Sequence, residues 1–85
     1  MITLKNTDSQ KTKWYLMKKY DFDINNALAS GSLGPASSTT VPSPTGTTVS
    51  VVWALADGVS AAGIVADNAA SVFHNDPNGA WAQTL

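Results

Sequence analysis

Between Val49 and Phe73 the chain reads as short apolar runs cut by two small polar pairs, Asp57-Gly58 and Asp67-Asn68. Asp-Gly suits a two-residue hairpin turn, because both central positions of a type I′ turn need positive φ. Asp-Asn is a weaker version, since both residues tolerate the left-handed region. Asn75-Asp76-Pro77-Asn78-Gly79 supplies a third, longer turn. The pattern predicts a four-strand meander over 47–85, with strands near 47–56, 59–66, 69–74 and 80–84. A helix within 59–73 is the rival reading, because alanine is the best helix former. Gly58 and Gly63 interrupt it, and no 3.6-residue apolar stripe survives Asp57 and Asp67.

Two-residue turns fix register. The Asp57-Gly58 turn pairs Leu55 with Ser60 and Trp53 with Ala62. The Asp67-Asn68 turn pairs Ile64 with Ser71 and Ala62 with Phe73. Val49, Val51, Trp53, Leu55, Ala62, Ile64 and Phe73 then share the face that forms the domain's own core. The opposite face holds Val52, Ala54, Ala61, Gly63, Val65, Ala70 and Val72, together with Ser50, Ala56, Val59 and His74. A solvated antiparallel face normally alternates to polar side chains. This one is uncharged and built of small residues, so a second layer is expected to cover it. That layer is either the rest of the domain or another copy of the chain.

The N-terminal half has a different pattern. Ile2-Thr3-Leu4-Lys5 alternates, Asn6 to Gln10 is turn chemistry, and Thr12 to Tyr20 is aromatic and extended in character. Residues 2–20 are therefore expected to form a hairpin. Residues 21–46 carry Pro35, Pro42, Pro44, Gly31, Gly34 and Gly46, which forbid a continuous helix or central strand. A long Ser/Thr/Pro/Gly-rich loop is expected there, with one short strand around Thr39–Val41. The whole chain reads as one all-β domain over 1–85, a small antiparallel sandwich or barrel of about six strands.

Composition sharpens this picture. The 85 residues suffice for one small domain with a modest core, and there is no cysteine to staple it. Help from neighbouring subunits would suit so small a domain. There is no Arg and no Glu, all five lysines fall within the first 19 residues, and five of the six aspartates follow them. The net charge of −1 hides a basic N-terminal segment and an acidic remainder. Such a split can steer head-to-tail contact between copies, unless the two signs neutralise each other inside the fold. From Ile24 to Ala56 no residue is charged. Most soluble surfaces are rich in charge, so the composition leans towards a secreted, cell-surface, fibrous or assembled protein. Lys5 to Lys19 is too polar for a signal-peptide core. No apolar run reaches the roughly 18 residues of a spanning helix, and no membrane partner is expected.

Candidate chemistry is sparse. His74 is the only histidine, and neither Asp76 nor Ser71 stands at a spacing that makes a catalytic pair, so no enzyme is expected. Asp21-x-Asp23-x-Asn25 places oxygen side chains at alternate positions, as a Ca²⁺ loop does. The twelfth position is Ser32 instead of the bidentate Glu, so this is no EF-hand. Lys11, Lys13, Lys18 and Lys19 interleave with Trp14, Tyr15 and Tyr20, as in a single-stranded nucleic-acid groove. The missing arginines and the pI near 5.4 oppose that reading. Trp81, with Asn78 and Asp76 nearby, would suit stacking on a sugar. The expected function is a self-associating structural or interaction module, an oligomer or fibre subunit with no cofactor. Its contact residues are Val52, Ala54, Ala61, Gly63, Val65, Ala70 and Val72. The alternative is a lectin-like ligand-binding sandwich, with Ca²⁺ at Asp21, Asp23 and Asn25.

Overall fold

A computed structural model describes residues 1–55 and 58–74, and the backbone of 81–84. It contains eight strands: β1 (Ile2–Asn6), β2 (Thr12–Lys18), β3 (Ala29–Leu33), β4 (Ser37–Val41), β5 (Val49–Leu55), β6 (Gly58–Val65), β7 (Ala70–Phe73) and β8 (Trp81–Thr84). Among the described residues a single 3₁₀ turn spans Ile24–Asn26. The strands form two four-stranded sheets, ordered β4-β1-β7-β8 and β3-β2-β5-β6. The expected all-β sandwich is present. All neighbours are antiparallel except β1 and β7, which run parallel.

Inward-facing side chains alternate along every strand whose side chains are described, as a sandwich requires. Ile2, Leu4 and Phe73 from the first sheet meet Trp14, Leu16, Val49, Val51, Trp53, Ala61 and Val65 from the second in one buried cluster. At its centre the Trp53 and Phe73 rings stack with centroids 5.5 Å apart. The Trp53 indole N–H donates across the sheets to Ser71 Oγ at 2.8 Å. An aromatic pair of this kind adds roughly 0.5–1.5 kcal/mol beyond the area it buries.

The connections depart from the sequence reading in three places. Residues 2–20 are no hairpin, because β1 and β2 lie in different sheets. The turn chemistry at Asn6–Gln10 is real: Asp8 N–H donates to Asn6 Oδ1, and Gln10 N–H donates to Asp8 Oδ2. Asn6 is itself buried, and its amide donates to the carbonyls of Gln10, Leu33 and Gly34. Those bonds tie the link to the end of β3, so the chain crosses between sheets instead of doubling back.

Residues 21–46 are not a structureless loop. The short strand expected at Thr39–Val41 belongs to β4, and β3 was not anticipated. Pro35 and Pro42 fall just outside these strands, and both strands are sheet edges, where proline is tolerated. Ala36 takes φ 52° in the short turn between them. Gly31 is required by packing. A Cβ there would come within 2.5 Å of the Trp14 ring, which packs against the β3 backbone at this point.

The meander holds only in part. β5 pairs with β6 and β7 with β8, as expected. Leu55 pairs with Gly58 in place of the expected Ser60. A bulge then leaves Ser60 unmatched, because Ala54 pairs with Val59 and Trp53 with Ala61. The net slip turns Ala61, Gly63 and Val65 inward and Ala62 and Ile64 outward. At Asp67-Asn68, Asn68 adopts the expected left-handed φ of 65°. That turn hands the chain to the other sheet, where β7 pairs with β1, so β6 and β7 are not neighbours.

Two substitutions test this packing. Ser71→Ala leaves a buried indole N–H unpaired and should cost about 1–3 kcal/mol, read as a lower denaturation midpoint at unchanged slope. Gly31→Ala forces the Trp14 ring out of its seat and should cost a similar roughly 1–3 kcal/mol. Wild-type stability would contradict the placement of Trp53 in the first variant and that of Trp14 in the second.

Candidate functional site

The residues expected to form one association face lie on three surfaces. Ala61, Gly63 and Val65 face the core and are buried. Ala70 and Val72 are half-buried on the outer side of the β4-β1-β7-β8 sheet, opposite Thr3 and Lys5. Val52 and Ala54 lie on the outer side of the β3-β2-β5-β6 sheet. The one-residue slip in β6 and the crossing at Asn68 separate the three sets. A single small-residue face carrying all seven does not exist.

What remains is a smaller uncharged surface on the outer side of the second sheet. Cross-strand pairing sets Tyr15 beside Val52 and Met17 beside Ser50. It also sets Val52 beside Ala62 and Ser50 beside Ile64. Met17, Ser50 and Val52 have no exposed surface, although they lie outside the main core cluster. Tyr15, Ala62 and Ile64 form a half-buried rim. Lys13, exposed and opposite Ala54, is the one formal charge among these positions. The Ser50 hydroxyl is buried with no hydrogen-bond partner, and so is the Trp14 indole N–H on the opposite side of the sheet. Tyr15, Met17, Ala62 and Ile64 were missed as face residues. Tyr15 and Met17 were placed in a hairpin with β1, and the slip hid the other two.

The acidic turn after β2 is used by the chain itself. Asp21 Oδ1 accepts from the Asp23 N–H and Asp21 Oδ2 from the Asn26 amide. Asp23 Oδ1 accepts from the Asn25 N–H and caps the 3₁₀ turn. These carboxylates serve local Asx turns, and Asn25 meets Asp23 through its backbone N–H. Among the described residues no group of three or more His, Cys, Asp or Glu is arranged to hold a metal ion.

Asp76 and Asn78 lie outside the described residues, and of Trp81 only the backbone pairing with Phe73 is described. His74 is half-buried just beyond β7. The basic-aromatic set of β2 is dispersed: Trp14 is core, Tyr15 lies on the outer face, and exposed Tyr20 lies under the Lys19 ammonium at 5.0 Å. A shallow hollow of about 250 Å³ is bounded by Lys11, Thr12, Lys13, Ser32 and Ala54.

Charge separation survives folding. Among the described residues no lysine lies within ion-pair distance of an aspartate. The one such pair joins the Met1 amine to Asp67 at 2.8 Å. No helix among the described residues is long and apolar enough to cross a membrane. No family model matches the chain, and neither a curated protein nor a solved structure matches it.

The Met1 ammonium donates a hydrogen bond to Asp67 and holds its carboxyl below the ordinary 3.8. A carboxylate with a depressed folded-state pKa stabilises the fold above its unfolded value, and the effect is lost as pH falls through the folded value. An NMR titration should find Asp67 titrating below the ordinary carboxylate value of 3.8. Acetylating the amine should return it to the ordinary range, and no change on acetylation would contradict the pair.

Proposed function

We propose that the protein is a structural or interaction module that self-associates, serving as the repeating unit of an oligomer or fibre. The observation that carries this reading is the uncharged outer side of the β3-β2-β5-β6 sheet. It runs from Tyr15 and Met17 of β2 across β5 to Ala62 and Ile64 of β6, with Lys13 at its margin. Antiparallel faces that stay in water alternate to polar side chains. Here Ser30, Ser32 and Lys13 keep the outer positions of β3 and the start of β2 polar and exposed, but Tyr15, Met17, Val52, Ala62 and Ile64 carry the rest of that side without charge. Met17, Ser50 and Val52 are already covered within one chain, so the apolar surface left to bury is the half-buried set Tyr15, Ala62 and Ile64. Such surface seeks cover at roughly 25 cal/mol per Å², and an identical set on a second copy is always available at the protein's own concentration.

The composition agrees. A domain this small gains stability from neighbours. The uncharged stretch from Ile24 to Ala56 leaves little repulsion between copies. The described residues assemble no activated nucleophile and no convergent carboxylates, so binding is favoured over catalysis as the basis of function.

Light scattering on the purified chain across a dilution series is the test. The weight-average mass should exceed the 8.9 kDa of one chain and fall on dilution. Tyr15→Lys places a charge within the face on an interior strand. It should lower that mass while the far-ultraviolet β spectrum persists. A mass of one chain at every concentration would overturn the reading.

A further inference from the structure

We infer that copies join head to tail through the two edges of the second sheet, β6 of one copy pairing antiparallel with β3 of the next. This rests on the self-association proposed above and names the contact that propagates it.

The argument begins with the edges. A free edge strand offers unpaired N–H and C=O groups, and proteins normally blunt it with charge, proline or brevity. Among the described residues, β6 pairs only with β5 and β3 only with β2. Neither strand contains a charged residue or a proline. β6 is the longest strand, at eight residues. Its bulge at Ser60 leaves Ala61–Val65 as a regular run of the same length as β3. The other sheet is better protected. Its edge strand β4 is bracketed by Pro35 and Pro42.

Direction selects the pairing. Along β3-β2-β5-β6 each strand is antiparallel to the last, so β6 runs opposite to β3. A second copy laid beside the first in the same orientation therefore meets β6 with an antiparallel β3, and the ladder continues without reversal. In the other sheet, β8 and β4 point the same way because β1 and β7 are parallel. The corresponding junction there would be the less stable parallel kind.

Side chains select the register. Inward residues must meet inward residues if the core is to continue across the junction. Pairing Gly63 with Gly31 meets this condition and uses all of β3. Ala61 then faces Leu33, and Val65 faces Ala29, on the core side. Ala62 faces Ser32, and Ile64 faces Ser30, on the outer side. No charge enters the junction.

Charge selects the head-to-tail arrangement over a symmetric one. Lys11, Lys13 and Lys18 lie on or beside β2, the neighbour of β3. Asp57 and Asp67 flank β6 in the sequence, the latter already paired with the Met1 amine. Pairing β3 with β3 would bring lysines together, and pairing β6 with β6 would bring aspartates together. The mixed junction turns the end of β6 that follows Asp57 in the sequence towards Lys11 and Lys13, while at its other end Lys18 already has Asp21 beside it. Its formation should slow as salt rises. Contacts of this heterologous kind generate rings where the rotation closes and filaments where it does not.

The chain contains no cysteine, so introduced thiols report directly. Ser32→Cys and Ala62→Cys are prepared separately, mixed as full-length chains, and oxidised. The mixture should give a disulfide-linked dimer, and neither variant alone should. The double variant should give a ladder of covalent multimers. Ala62→Lys, which puts a charge on the free edge, should abolish chain growth. A dimer from Ala62→Cys alone would overturn the inference in favour of symmetric pairing. Absence of cross-links, with a light-scattering mass still above one chain, would overturn the edge contact and leave self-association standing. A single-chain mass would remove both. If the thiol variants misfold, retention of the assembled mass in Ala62→Lys counts against the edge by itself.

Discussion

The contact between Trp53 and Phe73 is the constraint on which the arrangement of the other strands depends. Among the described residues Trp53 is the largest fully buried side chain. Its indole N–H needs a partner once it leaves water, and Ser71, also buried, supplies one. Both partners of Trp53 stand on β7, and β7 belongs to the opposite sheet. The chain must therefore cross from one sheet to the other between β6 and β7. Asn68 makes the crossing in a left-handed conformation, its N–H bonded to the Met1 carbonyl. The same crossing sets β7 parallel to β1. Phe73 O then accepts from both the N–H and the hydroxyl of Thr7, which closes the far end of β1.

Much of this was legible in the residues. Alternation and turn chemistry place β1, β2, β5, β6 and β7 near their observed positions, because those signals are local. Trp53, Val49 and Val51 are core in both readings. Partnership between strands was less legible. Asp67-Asn68 has the same chemistry whether it closes a hairpin or an arch between sheets. The choice depends on where Phe73 finds Trp53, and no local pattern records that. β3 was hidden for a different reason. Its Ala-Ser-Gly-Ser-Leu carries a weak strand propensity and is held in place by the Trp14 ring over Gly31. The turn that follows relies on Ala36 at positive φ, which its residue type does not signal.

The association surface changed with the register. A bulge of one residue exchanges the two faces of β6, and the seven residues expected to act together divide among three surfaces. The underlying physical observation survives the exchange, because both faces of the β5–β6 ribbon lack charge. One therefore builds the core, and the other is left as an uncharged exterior whose centre, Met17, Ser50 and Val52, has no exposed surface. The candidate Ca²⁺ turn was legible as Asx chemistry. What its sequence did not reveal is that its carboxylates are engaged by neighbouring N–H groups.

All of these relations follow from placing β7 over β5 instead of beside β6. A two-dimensional NOE spectrum of the monomeric or dilute protein addresses that placement directly. The Phe73 ring should show contacts to the Trp53 indole, and the backbone of Thr3 should show contacts to that of Ala70. Backbone contacts pairing Ile64 with Ser71 and Ala62 with Phe73, as in a continuous meander, would contradict the structure and the assembly derived from it.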